Sequence, residues 1–375
     1  MALALASPFS LGLLCPPRTP SFSCCCKPQR NLRTGYLGTE RRPPKEERFP
    51  RLRASQDNSN SNKGFNGEDE ISRGTLIWRA VKLPIYSVAL VPLTVGSAAA
   101  YLQTGGFLFG RYMLLLSSSI LIIKWLNLSN DVYDFDTGAD ENKKESVVNL
   151  VGSRAVVHYA ANLSLLVGFI GLVWASAAVN MQSIFLLTGA ILCGYVYQCP
   201  PFRLSYKGLG EPLCFAAFGP FATSAFYLSQ IAKSKLIHLP QDATVLSASL
   251  LVGLTTSLIL FCSHFHQVDE DRAIGKMSPL VRLGTERAAK AVKVAVLSLY
   301  SLLALFGLCR ALPWTCIVLS ALTLPIGKLV VDYVKEHHRD KGKIFMAKYY
   351  CVRLHTAFGA ALAAGLAAAR IVAKP

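Results

Sequence analysis

Nine apolar runs, each close to twenty residues long, occupy most of the chain beyond residue 80: 83–102, 108–129, 156–179, 181–198, 213–231, 244–265, 290–309, 313–334 and 350–372. Twenty helical residues rise ~30 Å, the thickness of a bilayer's hydrocarbon core. Lipid offers no partner to a backbone N–H or C=O, so a spanning segment is either a helix that pairs its own backbone or a strand in a closed barrel. A barrel would show ten-residue stretches of alternating polarity, and these runs are continuously apolar. The expected fold is therefore all-α, a polytopic bundle of nine transmembrane helices within residues 75–375, set in a lipid bilayer. With 52% hydrophobic and 16% charged residues, the chain is too apolar for a soluble protein of its length. Small-residue runs such as 359–369 predict close helix packing.

The formal net charge of +17 does not call for a nucleic-acid partner. Much of it belongs to residues 1–54, which are rich in Ser, Pro and Arg, contain no acid before Glu40 and read as a plastid transit peptide. Residues 55–74, rich in Asn, Ser, Gly and acids, are expected to form a disordered N-terminus ahead of the membrane domain. The remaining cations are unevenly shared. Loops after the second, fourth, sixth and eighth runs carry Lys143, Lys144, Arg203, Lys207, Arg272, Lys276, Arg282 and others, whereas the odd-numbered loops carry only Arg111, Lys233, Lys235 and Arg310. The positive-inside bias places the even loops on the cytoplasm-like side, which in a plastid is the stroma. None of the eleven cysteines has metal-ligand spacing, so they are expected to act as small buried hydrophobes. Nothing in the sequence sets an oligomeric state.

Carboxylates at the ends of membrane helices are costly and by default mark a site. Here two clusters follow apolar runs. Asn130-Asp131-Val132-Tyr133-Asp134-Phe135-Asp136, with Asp140 beyond, follows the second run, and His266-Gln267-Val268-Asp269-Glu270-Asp271-Arg272 follows the sixth. Four spans separate them, so they open on the same side. If the second helix continues to Asp136, then Asn127, Asn130, Asp131 and Asp134 lie three or four residues apart. On a helical reading Ser263, Gln267 and Asp271 align in the same way, with His264 and Glu270 adjacent and Asp269 turned partly aside. Oxygen donors of this kind suit Mg²⁺, which takes one or two carboxylates and completes its shell with water and phosphate. One acidic helix end alone could be merely solvated. Two facing clusters need a polyanion between them, and a diphosphate fits, with the loop cations to neutralise it.

Asn130-Asp131-x-x-Asp134 with Asp140, and Asp271-Arg272-Ala273-x-Gly275-Lys276-x-Ser278 followed by Val281-Arg282-Leu283-Gly284-Thr285, resemble the two signature regions of the UbiA superfamily of intramembrane prenyltransferases. The resemblance covers about residues 75–372. Asp134-Phe135-x-x-Gly138-x-Asp140-x-x-Lys143, Tyr195-x-Tyr197-x-x-Pro200-Pro201-Phe202-Arg203 and His264-Phe265-His266-Gln267-Val268 are similar to the plastid and cyanobacterial branch acting on 1,4-dihydroxy-2-naphthoate. The branch implies Mg²⁺-dependent transfer of phytyl from phytyl diphosphate to 1,4-dihydroxy-2-naphthoate with loss of CO₂, a step toward phylloquinone. The expected location is a chloroplast membrane, with the motifs facing the stroma.

The resemblance also implies roles. Asn130, Asp131, Asp134, Asp271 and Tyr197 would serve catalysis. Asp131, Asp134, Asp140, Asp269 and Asp271 would hold metal, and Lys143, Tyr195, Arg203, Lys207, Gln267, Arg272, Lys276 and Arg282 would bind substrate. The chain departs from the common pattern in three places. Gln267 stands where relatives carry Asp, and Ser263 where they carry Asn, so Asp269 or Glu270 is expected to supply the missing anion. Pro201 stands where many relatives place a Lys four residues after Tyr197, leaving Arg203 or Lys207 to serve. A homogentisate or chlorophyllide acceptor would keep the same chemistry. A transporter would instead hold its carboxylates near the bilayer midplane on broken helices, and the same-side placement of the two clusters argues against that.

Overall fold

The computed structural model describes residues 83–138, 146–177, 181–231 and 243–373. The transit peptide and N-terminal segment expected at 1–74 lie outside them, as do Asp140, Lys143 and Lys144. The apolar runs form α1 (Ser87–Thr104), α2 (Phe109–Asp136), α3 (Arg154–Ala177) and α4 (Met181–Gln198). Next comes α5, an unbroken helical run of Gly210–Ala216, a π segment Ala217–Thr223 and Ser224–Gln230. The bundle is completed by α6 (Ala243–Ser263), α7 (Thr285–Leu308), the two pieces of α8 (Trp314–Ala321 and Leu324–His337) and α9 (Ala347–Val372). No strand occurs among the described residues.

Among the described residues, seven helices are long and apolar enough to cross a membrane, or up to eight if the α8 pieces, bent by 45°, count as one span. The expected nine are not reached by length and composition. The shortfall is α5, where Glu211, Pro220, Ser224, Ser229 and Gln230 dilute the apolar content. That dilution is tolerable because α5 is enclosed by protein: Ala225, Phe226, Tyr227, Ser229 and Gln230 are all buried, so little of its surface has to satisfy lipid. Pro220 lies in the π segment. A proline lacks an N–H and its ring clashes with the carbonyl four residues back, and a wider turn absorbs both problems. In α8 the break precedes Pro325, which sits in the first turn of the second piece, where a missing N–H costs nothing.

Burial sorts the helices into layers. α6 lies at the centre, with Leu251, Val252, Leu258 and Ile259 packed with residues of α1, α7 and α9 in the larger core. A second core joins α2, α3, α4 and α5 through Leu115, Trp125, Ala161, Leu187 and Phe226. The outer faces of α3, α4 and α7 expose Tyr159, Leu163, Trp174, Phe185, Val294 and Leu305, the pattern of a surface solvated by lipid. Small residues bring backbones into contact. A Cβ on Gly365 of α9 would stand 2.5 Å from the Cys316 Cα of α8, and one on Gly96 of α1 would stand 2.6 Å from the Thr223 carbonyl oxygen of α5. Of the free cysteines, Cys199, Cys262, Cys316 and Cys351 are buried, as expected of small hydrophobes, whereas Cys193 and Cys214 are half-buried and Cys309 is exposed.

Loops after α2, α4, α6 and α8 meet at one end and form a cap of short helices. Thr137 and Tyr206 share a hydroxyl–hydroxyl hydrogen bond of 3.0 Å, and the Met277 N–H donates to the Tyr206 carbonyl at 2.9 Å. The Arg282 guanidinium donates to the carbonyls of Lys207 (2.8 Å) and Met277 (3.1 Å). Gly208 has a φ of +78°, and a Cβ there would stand 2.7 Å from the Met277 carbonyl oxygen, so both conformation and space demand glycine. Lys341, after α8, pairs with Glu270, and Arg154 closes a two-pronged ion pair with Asp136 at 2.6 Å. The described parts of the even loops therefore form one connected surface over the helix ends that carry the acid clusters.

Candidate active site

Beneath the cap a cavity of about 340 Å³ runs into the bundle, within the usual size range of small-molecule sites. Its chemistry changes along its walls. Asn130, Asp134, Gln267, Lys276 and Lys348 line the polar part, which comes from the cap and the adjoining helix ends. Ile122, Leu126, Leu172, Leu187, Ile191 and Phe226 line the apolar body, between α2, α3, α4 and α5. The π segment contributes Ala217, Phe218 and Ala222 to the same wall.

Helical geometry divides the first acid cluster. Asn127, Asn130 and Asp134 share the face of α2 that lines the cavity, and the Asn130 side-chain amide donates to Asp134 at 2.6 Å. Asp131, one residue and so about 100° further round the helix, is not among the lining residues. It is fully buried and accepts the Val147 N–H at 3.1 Å, anchoring the short helix Val147–Val151 to the end of α2. Asp136, two residues beyond Asp134, is committed to Arg154.

The second cluster departs further from the expected register. α6 stops at Ser263, and a 3₁₀ turn at Phe265–Gln267 precedes the helix Val268–Ala273. A 3₁₀ turn advances three residues per revolution instead of 3.6, so the side chains that follow are rotated away from the face a continuous α-helix would give. Ser263 and Gln267 line the cavity and Asp271 does not. Asp271 is buried and paired with Lys276 at 3.1 Å, and its second oxygen is buried with no partner among the described residues. Asp269 lines a separate cavity of about 220 Å³ with His338, Arg339 and Lys341. Glu270 is held by Lys341. Neither acid offered as a replacement for the aspartate missing at Gln267 lines the main cavity, and no group of three His, Cys, Asp or Glu residues able to hold a metal occurs among the described residues.

Among the predicted substrate-binding cations, Lys276 lines the cavity. Lys207 and Arg272 are exposed, Arg282 is spent on two loop carbonyls, and the Arg203 guanidinium lies 5.9 Å from the ring centres of both Tyr133 and Tyr206. Burial pushes the Tyr206 phenol above its ordinary pKa, so it remains a neutral hydrogen-bonding group. Tyr197 lines the cavity, while Tyr195 does not and instead packs edge-on against Phe202. Sequence reasoning set His264 beside the second cluster without giving it a role, and missed Lys348 and Tyr349 as cavity residues. The Lys348 ammonium lies 3.8 Å from the Phe345 ring centre, a cation–π contact that holds it at the mouth. Only the nearness of Lys348 to the last apolar run hinted at this.

Comparison with known proteins fits this architecture. The sequence pattern of the UbiA prenyltransferase family matches residues 89–352. Over 304 residues the chain is 68% identical to an Arabidopsis thaliana protein named 2-carboxy-1,4-naphthoquinone phytyltransferase, chloroplastic, covering 81% of this chain and 80% of that one. It is 44% identical over 287 residues to the 2-carboxy-1,4-naphthoquinone phytyltransferase of Synechocystis, covering 76% and 91%. The fold resembles that of a UbiA homolog from Archaeoglobus fulgidus bound to GPP and Mg²⁺, with a TM-score of 0.53 at 18% identity over 77% of this chain and 99% of that one. The paired motifs, the helical bundle with its capped cavity and the family match make this membrane enzyme a prenyltransferase of the UbiA family.

Proposed function

We propose that the protein transfers a phytyl group from phytyl diphosphate to 1,4-dihydroxy-2-naphthoate with loss of CO₂, in a plastid membrane with its cap on the stromal side. The observation that carries this reading is that one cavity joins a charged mouth to an apolar body, matched to a substrate with a polyanionic head and a branched hydrocarbon tail. Identity to the Arabidopsis phytyltransferase supports both the acceptor and the tail.

Mg²⁺ suits the donors present. They are hard oxygens, Asp271 has a buried oxygen with no partner among the described residues, and Mg²⁺ needs only one or two carboxylates when phosphate and water complete its shell. Asp134 and Asp271 would hold the ion, with Asp140 as a further acid of the same motif. Asp131 would serve by fixing the end of α2 against Val147. When bound, the metal supplies charge neutralisation at the departing diphosphate.

The protein's own groups do the rest. Lys276 and Lys348 draw the diphosphate to the mouth and hold it there. Apolar walls accept the tail and exclude water that would quench an allylic cation, and the Tyr197 ring face stabilises that positive charge. An acceptor panel in quinone-free membranes tests the reading. Phytylated product from 1,4-dihydroxy-2-naphthoate should exceed that from homogentisate or a chlorophyllide by about 100-fold or more; the reverse preference would overturn the acceptor assignment.

A further inference from the structure

His264 and Glu211 form a pair for which the reading above has no use. His264 follows the last residue of α6, is 4% exposed and lines the main cavity. Glu211 lies in the first turn of α5, and its Oε1 stands 3.2 Å from His264 Nδ1. Against an ionised carboxylate, which can only accept, Nδ1 would carry the hydrogen, and the neutral imidazole would then keep its lone pair on Nε2. The side chain of His264 makes no other hydrogen bond among the described residues. Glu211 is fixed from behind, because Ser257 of α6 donates to its main-chain carbonyl at 3.2 Å. Its neighbour Gly210 packs so closely on Tyr197 that a Cβ would stand 2.9 Å from that ring. The second Glu211 oxygen is buried with no partner among the described residues. A carboxylate retained solely for packing would be expected to be fully paired, because a buried unsatisfied charge is costly.

We propose that His264, oriented by Glu211, is the base that takes the acceptor's ring-hydroxyl proton and gives it back once CO₂ has left. The proposal rests on the phytyl-transfer reading above. As the C–C bond forms at the carboxylated ring carbon, the donor C–O bond breaks and its electron pair leaves on diphosphate. Transfer of the neighbouring hydroxyl proton to Nε2 supplies the electron density for that attack and leaves a ring ketone beside a quaternary carbon bearing the carboxylate. This is a β-keto carboxylate. Its C–CO₂ bond breaks, the pair flows to the ketone oxygen, and the imidazolium returns the proton there. No net proton is consumed and nothing is oxidised. Glu211 stays ionised as a positioning residue and stabilises the transient imidazolium, as the carboxylate does in a Ser-His-Asp triad.

The test compares the unaltered protein, His264→Gln, His264→Ala and Glu211→Gln in quinone-free membranes, with phytyl diphosphate and 1,4-dihydroxy-2-naphthoate. Turnover by the unaltered protein establishes the underlying reading, and its absence would sink that reading rather than this one. His264→Gln keeps a donor for Glu211 but cannot accept the proton, so kcat should fall about 10²–10⁴-fold with little change in KM for phytyl diphosphate. Added imidazoles should restore His264→Ala, more so as their basicity rises, which a packing role would not produce. Glu211→Gln should lower kcat by less. Unchanged kcat in His264→Gln, or rescue that is absent or indifferent to base strength, would remove His264 from proton transfer.

Discussion

Replacing Lys276 with Met should destabilise the protein far more than loss of an ordinary loop lysine. Lys276 and Asp271 sit 3.1 Å apart with side chains 11% and 6% exposed, and the second Asp271 oxygen already lacks a partner among the described residues. Removing the ammonium strands a buried carboxylate, and breaking a buried pair in this way costs about 3–5 kcal/mol. The double variant Asp271→Asn/Lys276→Met removes the charge along with its partner and should lose only what a poorly paired buried amide costs, about 1–3 kcal/mol. The two changes should therefore couple by roughly 2 kcal/mol or more when unfolding of all four proteins is followed in one detergent. Transfer should stay low in the double variant, because Lys276 also lines the cavity. Additive effects, or a Lys276→Met protein within about 0.5 kcal/mol of the parent, a surface-like cost, would refute the buried-pair argument.

Other substitutions separate site from scaffold. Asp134→Ala should lower transfer by at least about 100-fold, as loss of a transition-state charge stabiliser does, while leaving membrane insertion intact. Gly365→Val should lower stability by about 1–3 kcal/mol through overpacking, because the new Cβ meets the Cys316 backbone at 2.5 Å; Gly110→Ala, where nothing lies within 4 Å of the added Cβ, should raise it by about 0.5–1 kcal/mol. Arg154→Ala breaks a pair whose side chains are 44% and 28% exposed and should cost under about 1 kcal/mol with transfer unchanged. Excess chelator should abolish transfer, and added Mg²⁺ should restore it.

The spans were legible because lipid tolerates one simple pattern, and the ends of α3 and α4 fall within two residues of the apolar runs. α5 was harder. Its burial by other helices replaces the demand for continuous apolarity, and a π segment around Pro220 leaves no periodicity to read. Within the site, the Asn127–Asn130–Asp134 face followed from helical spacing alone. Separating Asp131 from that face required its long-range acceptor role toward Val147. The Ser263–Gln267–Asp271 register failed because it assumed a straight helix through a 3₁₀ turn. Lys348, and the commitment of Glu270 to Lys341, depend on loops far apart in the chain, where local sequence carries no distance information. The proposed leader and the roles of Asp140 and Lys143 fall outside the described residues.

The most direct test of the central claim uses carboxyl-labelled 1,4-dihydroxy-2-naphthoate and phytyl diphosphate with the protein in quinone-free membranes, counting CO₂, diphosphate and phytylated product together. The expected result is one labelled CO₂ and one diphosphate for each phytylated naphthalenediol, formed only with Mg²⁺. Label retained in a phytylated product, or diphosphate released without prenylation of the ring by folded protein, would contradict the account.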